Sequence, residues 1–231
     1  MTSGVSVVIA ARNPGALLAE TLASVAAQTA PPSSVVVVDD GSTDGAAVRE
    51  AGRHPFVTLL RQPALGRSAA RNRGAAATTS DRILFLDADD LLRPEALAVM
   101  GAALDRDPAL EMVHGRVFEF VDRRQPPPPG VRSRDAEVSV RLGGSTLLRR
   151  TLWERVGPFD ESIPRGEWID WVDRAAHLGA VARELPHVVL DRRLHAANSP
   201  GEDAAPYLSV VRAAILRSRR SGGGTASAPG S

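Results

Sequence analysis

Three carboxylates, Asp87, Asp89 and Asp90, follow directly on the apolar run Ile83-Leu84-Phe85-Leu86. The run is short and continuous rather than alternating, as expected of a strand covered on both faces of a mostly parallel sheet. Strands of that kind end at the ligand crevice of an open α/β fold. Carboxylates at strand positions i and i+2 point to one side. Asp87 and Asp89 are therefore placed to grip one hard cation, Mg2+ or Mn2+. The plainer alternative is an acidic turn in which Asp90 opens the next helix. A second apolar run, Val35 to Val38, also ends in carboxylates, Asp39 and Asp40. In the Gly41-Ser42-Thr43-Asp44-Gly45 segment that follows, Thr43 or Asp44 can cap a helix.

The surrounding chain supplies the elements that must position these groups. Val5 to Ala10 is a β-branched strand broken by Arg12-Asn13-Pro14-Gly15. Leu17, Leu18, Leu22 and Val25 recur at helical spacing up to Gln28, and Pro31-Pro32 stops that helix. Phe56 to Leu60 reads as a third strand. Leu65 to Ala77 is an Ala-rich helix carrying Arg67, Arg71 and Arg73. Ile83 to Leu86 is the fourth strand, and Pro94 suits the first turn of a helix running to about Leu104. Strand and helix thus alternate through the first 105 residues. That order predicts an α/β fold with a Rossmann-like, mostly parallel central sheet flanked by helices and right-handed crossovers. Arg12, Asp39, Asp40, Asp87 and Asp89 gather at the C-terminal ends of its strands.

The second half is less regular and predicts a smaller mixed region. Leu110 to Val121 reads as one or two strands, Gly143 to Leu148 as another, and Arg150 to Val156 as a short helix. Gln125-Pro126-Pro127-Pro128-Pro129-Gly130 and the charged residues after it read as a mobile surface loop. Glu167 to Leu178 is a helix closed by Gly179. Val181 to Leu194 carries one or two strands, and Ala204 to Arg220 is an amphipathic helix. Ser221 to Ser231 lacks the apolar residues needed to pack, so a disordered tail is expected.

Composition narrows the function classes. At 231 residues with 43% apolar content, the chain can build one sizeable core. A net charge of +1 gives no global reason to expect nucleic acid or an acidic membrane. Every cationic Lys/Arg position is Arg. The absence of Cys excludes disulfides, thiolate nucleophiles and cysteine zinc sites, and fits a cytoplasmic location. No apolar run reaches the roughly 18–20 residues of a membrane span. The opening Met1-Thr2-Ser3-Gly4-Val5 has no basic region of the kind that starts a signal peptide.

Taken together, the motifs resemble a family 2 glycosyltransferase of the GT-A fold, over about Val5 to Ser199. Val5-Ser6-Val7-Val8-Ile9 with Arg12-Asn13-Pro14 is similar to the opening strand and nucleotide loop. Val37-Val38-Asp39-Asp40-Gly41-Ser42-Thr43-Asp44 resembles the second-strand motif. Gly66-Arg67-Ser68-Ala69-Ala70-Arg71-Asn72-Arg73-Gly74 resembles the helix that approaches the nucleotide. Leu86-Asp87-Ala88-Asp89-Asp90 resembles the DxD motif, and Val156-Gly157-Pro158-Phe159-Asp160-Glu161 the G-x-F-D-E turn.

The resemblance implies one glycosyltransferase domain over residues 1–199, with a nucleotide-binding half (1–108) and an acceptor and catalytic half (109–199). Residues 200–220 would form the C-terminal helix and 221–231 the tail. It also implies a nucleotide-sugar donor, most often a UDP-sugar, with Mn2+ or Mg2+, and inverting transfer to an acceptor. Donor contacts would come from Ala10, Arg12, Asn13, Asp39, Asp40, Arg71, Asp87 and Ala88. Among these, Asp39 would bond the base, Asp87 the ribose or the metal, and Arg71 the nucleotide or its phosphate. Asp89 would ligate the metal, with His195 as a further metal ligand or diphosphate contact, and Arg192 or Arg193 could clamp phosphate. The plainer readings place Arg71 on a solvated helix face, Arg67 and Arg73 at the surface, Asp44 as a cap and Phe159 in the core.

The sequence departs from the family at the base. The usual Glu-Asp-x-Asp segment is replaced by Glu167-Trp168-Ile169-Asp170-Trp171, and alignment on Trp171 puts Glu167 at the base position. Asp170, one helical turn on, is the rival. The alternative to both is that Glu167 is an acid favoured by a helix N-terminus. Trp168 lines the acceptor site or belongs to the core. The departure also motivates a second function, a non-catalytic nucleotide-sugar-binding module. A nucleotidyltransferase is disfavoured, because no Lys-bearing glycine-rich loop follows the first strand. The acceptor could be a glycan, lipid carrier, natural product or peptide. The C-terminal helix could touch a membrane surface, though a helix of this kind more often packs on its own domain or against a partner, and it could pair two copies in a homodimer.

Overall fold

The computed structural model describes residues 4–122, 124 and 135–194. The polyproline segment, the residues where a C-terminal helix and a tail are expected, and His195 lie outside the described residues.

The N-terminal part alternates as expected: β1 (Val5–Ala11), α1 (Leu17–Ala26), β2 (Ser34–Asp40), α2 (Ala46–Arg53), β3 (Val57–Gln62), α3 (Arg67–Ala76) and β4 (Arg82–Asp87). A short β5 (Leu91–Leu92), not foreseen from the sequence, precedes α4 (Ala96–Arg106). Pro94 lies ahead of that helix, not within its first turn. Then come β6 (Met112–Val121), β7 (Ala136–Val138), β8 (Thr146–Arg149), α5 (Arg150–Val156), α6 (Glu167–His177) and one long β9 (Ala182–Leu194).

The sheet order is β3-β2-β1-β4-β8-β6-β9-β5, with β7 also paired to β6. β3, β2, β1 and β4 run parallel. β8 joins β4 antiparallel, and beyond it the sheet is mixed, with β6 and β9 parallel and β5 antiparallel to β9.

Burial on both faces explains the unbroken apolar runs. Val7, Ile9, Leu84 and Leu86 point to the layer holding Leu18, Leu22, Met100 and Leu104 of α1 and α4. Their sequence neighbours Val8, Ile83 and Phe85 point the other way, toward Leu152, Trp153, Phe159, Trp168 and Trp171. The aromatic side chains there form a connected set, with Trp168 stacked on Trp171 at 5.7 Å and Phe85 edge-on to Phe159 at 5.1 Å. Offset and edge contacts of this kind add to the area they bury. Trp168 is thus a core residue, 8% exposed, whose Nε1 donates to the Arg141 carbonyl at 3.1 Å.

Candidate active site

The ends of β1, β2 and β4 lie side by side. Ala10 is in register with both Val38 and Asp87, and Ala11 with Asp39, so Asp39 and Asp87 reach one edge of the sheet. Asp39 is 3% exposed; its Oδ1 accepts the Ser42 amide at 2.9 Å and its Oδ2 faces Arg61 Nε at 3.4 Å. Asp40 turns to the loop before α3. It accepts Gln62 Nε2 at 2.8 Å and the amides of Leu65 and Gly66 at 2.8 and 2.9 Å. Three donors on one buried carboxylate make Asp40 a brace for the start of α3, where the sequence had placed a donor contact.

Asn13, with φ 48°, stitches two loops: its Oδ1 accepts the Thr43 amide at 2.8 Å and its own amide donates to Ser42 Oγ at 2.9 Å. Arg12 beside it is exposed. Asp44 accepts the Gly15 amide at 2.9 Å and the Ala46 amide at 3.0 Å, at the start of α2. It tethers that helix from outside, with Gly45 at the cap position itself.

Arg71 is the centre of the arrangement. α3 lies close over the sheet because Gly74 has no side chain; a Cβ there would come within 2.3 Å of Val8 Cγ1. Arg71, three residues earlier, shares that helix face and is only 3% exposed. It is not on a solvated face. Its Nη1 donates to Glu167 Oε1 at 2.5 Å and its Nη2 to Asp87 Oδ1 at 2.6 Å. The guanidinium also sits over the Phe159 ring, 5.7 Å from its centroid. Burial pushes the Asp87 carboxyl up, but the charges of Arg71 and Arg67, the Arg71 hydrogen bond and the Arg192 charge together hold the group below its usual range. Arg67 is exposed but reaches to 3.8 Å from Glu167 Oε1.

Asp87, Asp89 and Asp90 each bring one oxygen to a common point, all within 4.8 Å of one another. Burial first, then the charges of Asp89 and Asp87, push the Asp90 carboxyl well above its usual range. Carboxylates that repel one another in this way, offering only oxygen, fit a hard divalent cation. Asp90 belongs to this cluster; the sequence had offered it as the opener of a helix. Its Oδ1 accepts the Arg193 amide at 3.0 Å.

Glu167 is the first residue of α6, after Gly166 at φ 91°, a conformation glycine adopts without steric cost. The helix dipole there favours a carboxylate. Asp170 is also buried, but its Oδ2 accepts Arg174 Nε at 2.9 Å, and Arg174 donates onward to the carbonyls of Val156 and Pro158. Asp170 therefore secures α6 to the turn before it, whereas Glu167 shares a guanidinium with Asp87.

Arg193 is 2% exposed, and its guanidinium already has partners. Nη1 donates to Asp122 at 2.6 Å, Nη2 to Glu20 at 2.7 Å and Nε to the Asp89 carbonyl at 3.0 Å. It is a structural tie, not a phosphate clamp. Arg192, 33% exposed at its side chain, pairs with Glu119 at 2.9 Å. Asn72 was not singled out from the sequence. It clamps the turn before α6, donating to the Phe159 carbonyl at 3.0 Å and accepting the Phe159 amide at 2.9 Å.

A sheet with parallel strands at one end, a mixed extension at the other and carboxylates at the parallel strand ends defines the GT-A class of α/β proteins. The chain belongs to glycosyl transferase family 2, whose model matches residues 6–157. It is 30% identical, over 254 residues, to the N-acetylglucosaminyl-diphospho-decaprenol L-rhamnosyltransferase of Mycobacterium tuberculosis, covering 91% of this chain and 82% of that one. Among solved structures, the mannosyltransferase PcManGT of Pyrobaculum calidifontis, in complex with GDP-Man and Mn2+, superposes with a TM-score of 0.71 at 22% identity. That match covers 99% of this chain and 66% of that one. Staphylococcus aureus TarS 1-349, in complex with UDP, superposes with a TM-score of 0.69 at 20% identity, covering 93% and 65%. These likenesses show the GT-A fold. The chain spans between a third and two thirds of the length of several other curated relatives that it matches. Among the described residues, no helix is long and apolar enough to cross a membrane.

Proposed function

We propose that the chain transfers a sugar from a UDP-sugar to an acceptor hydroxyl with inversion at the anomeric carbon, using a divalent cation held by Asp87, Asp89 and Asp90. The observation that carries this reading is the convergence on Arg71. One buried guanidinium touches a carboxylate of the acidic cluster and a second carboxylate, Glu167, on a different element. The cation would act as a Lewis acid on the diphosphate leaving group. Asp39, at the end of the neighbouring strand, contacts the nucleotide base. Glu167 takes the proton of the attacking hydroxyl. Direct displacement needs a base separate from the groups that hold the leaving group, and Glu167, on a different element from the acidic cluster, is the carboxylate proposed for it. Asp170, bound to Arg174, is not the base in this reading. The UDP and GDP-Man bound by the two solved relatives support a nucleotide-diphosphate donor, and a nucleotide panel distinguishes between them.

The test is thermal stabilisation by UDP, GDP, TDP, CDP and ADP, with and without Mn2+. A ligand at about 100 times its Kd adds roughly 2.7 kcal/mol of stability. The expected result is a shift with UDP that depends on Mn2+ and disappears in Asp89→Ala. A screen of glycan, lipid-carrier and small-molecule acceptors then compares wild type with Glu167→Gln, which loses transfer even at Mn2+ concentrations high enough to saturate both proteins. Full transfer by a folded Asp89→Ala variant would overturn the metal assignment.

A further inference from the structure

We propose that Arg71 is a positioning residue that links the acidic cluster energetically to Glu167, so that cation binding on the donor side sets where the base carboxylate is held. This rests on the reading of the site given above and deepens it. The guanidinium is buried, and among the described residues its Nε has no hydrogen-bond acceptor. Its position is therefore set by two ion pairs, to Glu167 at 2.5 Å and to Asp87 at 2.6 Å, and by the face of Phe159. The two partners differ in access: the Asp87 side chain is 42% exposed and that of Glu167 5%. A cation reaches Asp87 from the crevice, whereas Glu167 is held against the buried arginine.

One positive charge shared by two carboxylates is a competition. A divalent cation on Asp87 replaces the charge that Arg71 supplied there and leaves the guanidinium to Glu167. Removing the Glu167 charge does the reverse. Arg71 then pairs wholly with Asp87, and the cation must displace it. By reciprocity, the effect of Glu167 on cation affinity equals the effect of the cation on the Arg71–Glu167 pair.

The test is Mn2+ binding, with Mn2+ alone as the probe, followed by the loss of the free-ion paramagnetic resonance signal. Wild type, Glu167→Gln, Arg71→Met and the double variant form a cycle, each checked for folding by circular dichroism. Glu167→Gln is expected to weaken Mn2+ binding about fivefold or more in the Arg71 background, the lower range of allosteric couplings, and to have no effect in Arg71→Met. An equal loss in both backgrounds would mean that the charge acts through space without Arg71, and would overturn the proposal. A second measurement, independent of whether Arg71→Met folds, uses the unaltered chain. Mg2+ titration is expected to move the side-chain 15Nε resonance of Arg71, and a resonance that stays fixed while Mg2+ binds overturns the link. Absence of any cation binding by wild type would remove the metal site itself. Binding without coupling would remove only the role of Arg71.

Discussion

Glu167 and Asp170 carry the same charge one helical turn apart, and their neighbours give them different work. Glu167 faces Arg71 and the acidic cluster, while Asp170 is bound to Arg174 and through it to the turn at Val156–Pro158. Titration at this scale is most informative away from the cluster. His114 is 6% exposed; its Nε2 lies 3.2 Å from Arg141 Nη2, a donor, so that nitrogen acts as an acceptor and the ring is neutral. Burial first, and then the Arg141 charge, push its pKa below the ordinary 6.5. The unfolded chain therefore takes up a proton as pH falls through about 6.5, before the folded chain does. Stability contributed by neutral His114 is complete above that pH and declines as pH drops toward the folded value. Melting temperature is expected to fall from pH 8 to pH 5.5, and to fall less in His114→Gln. An identical decline in the variant would assign the effect to other groups. The sequence offered no partner pattern for His114, because Arg141 is 27 residues away and meets it only in the fold. The Asp87 and Asp89 pair was legible, since a strand running into carboxylates is a local pattern. Asp90 and Arg71 acquire their roles from contacts across elements.

At the scale of elements, α3 matters through its distance from the sheet. Gly74 lets the helix approach, and a methyl group added there would meet Val8 Cγ1 at 2.3 Å and Val38 Cγ2 at 3.3 Å, on fully buried strands. Glycine to alanine inside a helix gains about 1 kcal/mol of propensity. Overpacking a filled core costs about 1–3 kcal/mol. The clash is with β-branched side chains that have no free space, so Gly74→Ala is expected to destabilise by about 1–2 kcal/mol, measured by urea unfolding. Lifting α3 also moves Arg71, so the Mn2+-dependent shift with UDP should shrink with it. A variant more stable than wild type would show that the helix can rotate to accept the methyl. The parallel half of the sheet could be read almost element by element, because buried strands and amphipathic helices write their periods locally. β5 could not, being two residues long and defined by pairing with Leu190 and Asp191 at the other end of the chain. The single 13-residue β9 was also ambiguous in sequence, since Arg183, Glu184, Pro186 and His187 interrupt its apolar pattern.

Across the whole molecule, Arg193 joins parts of the chain that are distant in sequence. It reaches Glu20 in α1, Asp122 just beyond β6 and the Asp89 carbonyl, while its own amide holds Asp90. The mixed half of the sheet is thereby tied to the acidic cluster of the parallel half. Asp122 and the Arg193 side chain are 4% and 2% exposed, so removing the cation leaves a buried carboxylate short of its partner. Breaking a buried pair from one side costs about 3–5 kcal/mol. Arg124 also bonds Asp122 and Glu20 and partly compensates, so Arg193→Met is expected near the lower end, about 3 kcal/mol. The Phe120 ring, 5.1 Å from the guanidinium carbon, would pack against the methionine. A purely local tie would cost stability alone. Because Arg193 also anchors the loop carrying Asp89 and Asp90, weaker Mn2+ binding is expected in any folded Arg193→Met sample, at temperatures well below its melting point. Unchanged Mn2+ affinity together with lost stability would confine Arg193 to holding the two halves of the sheet together.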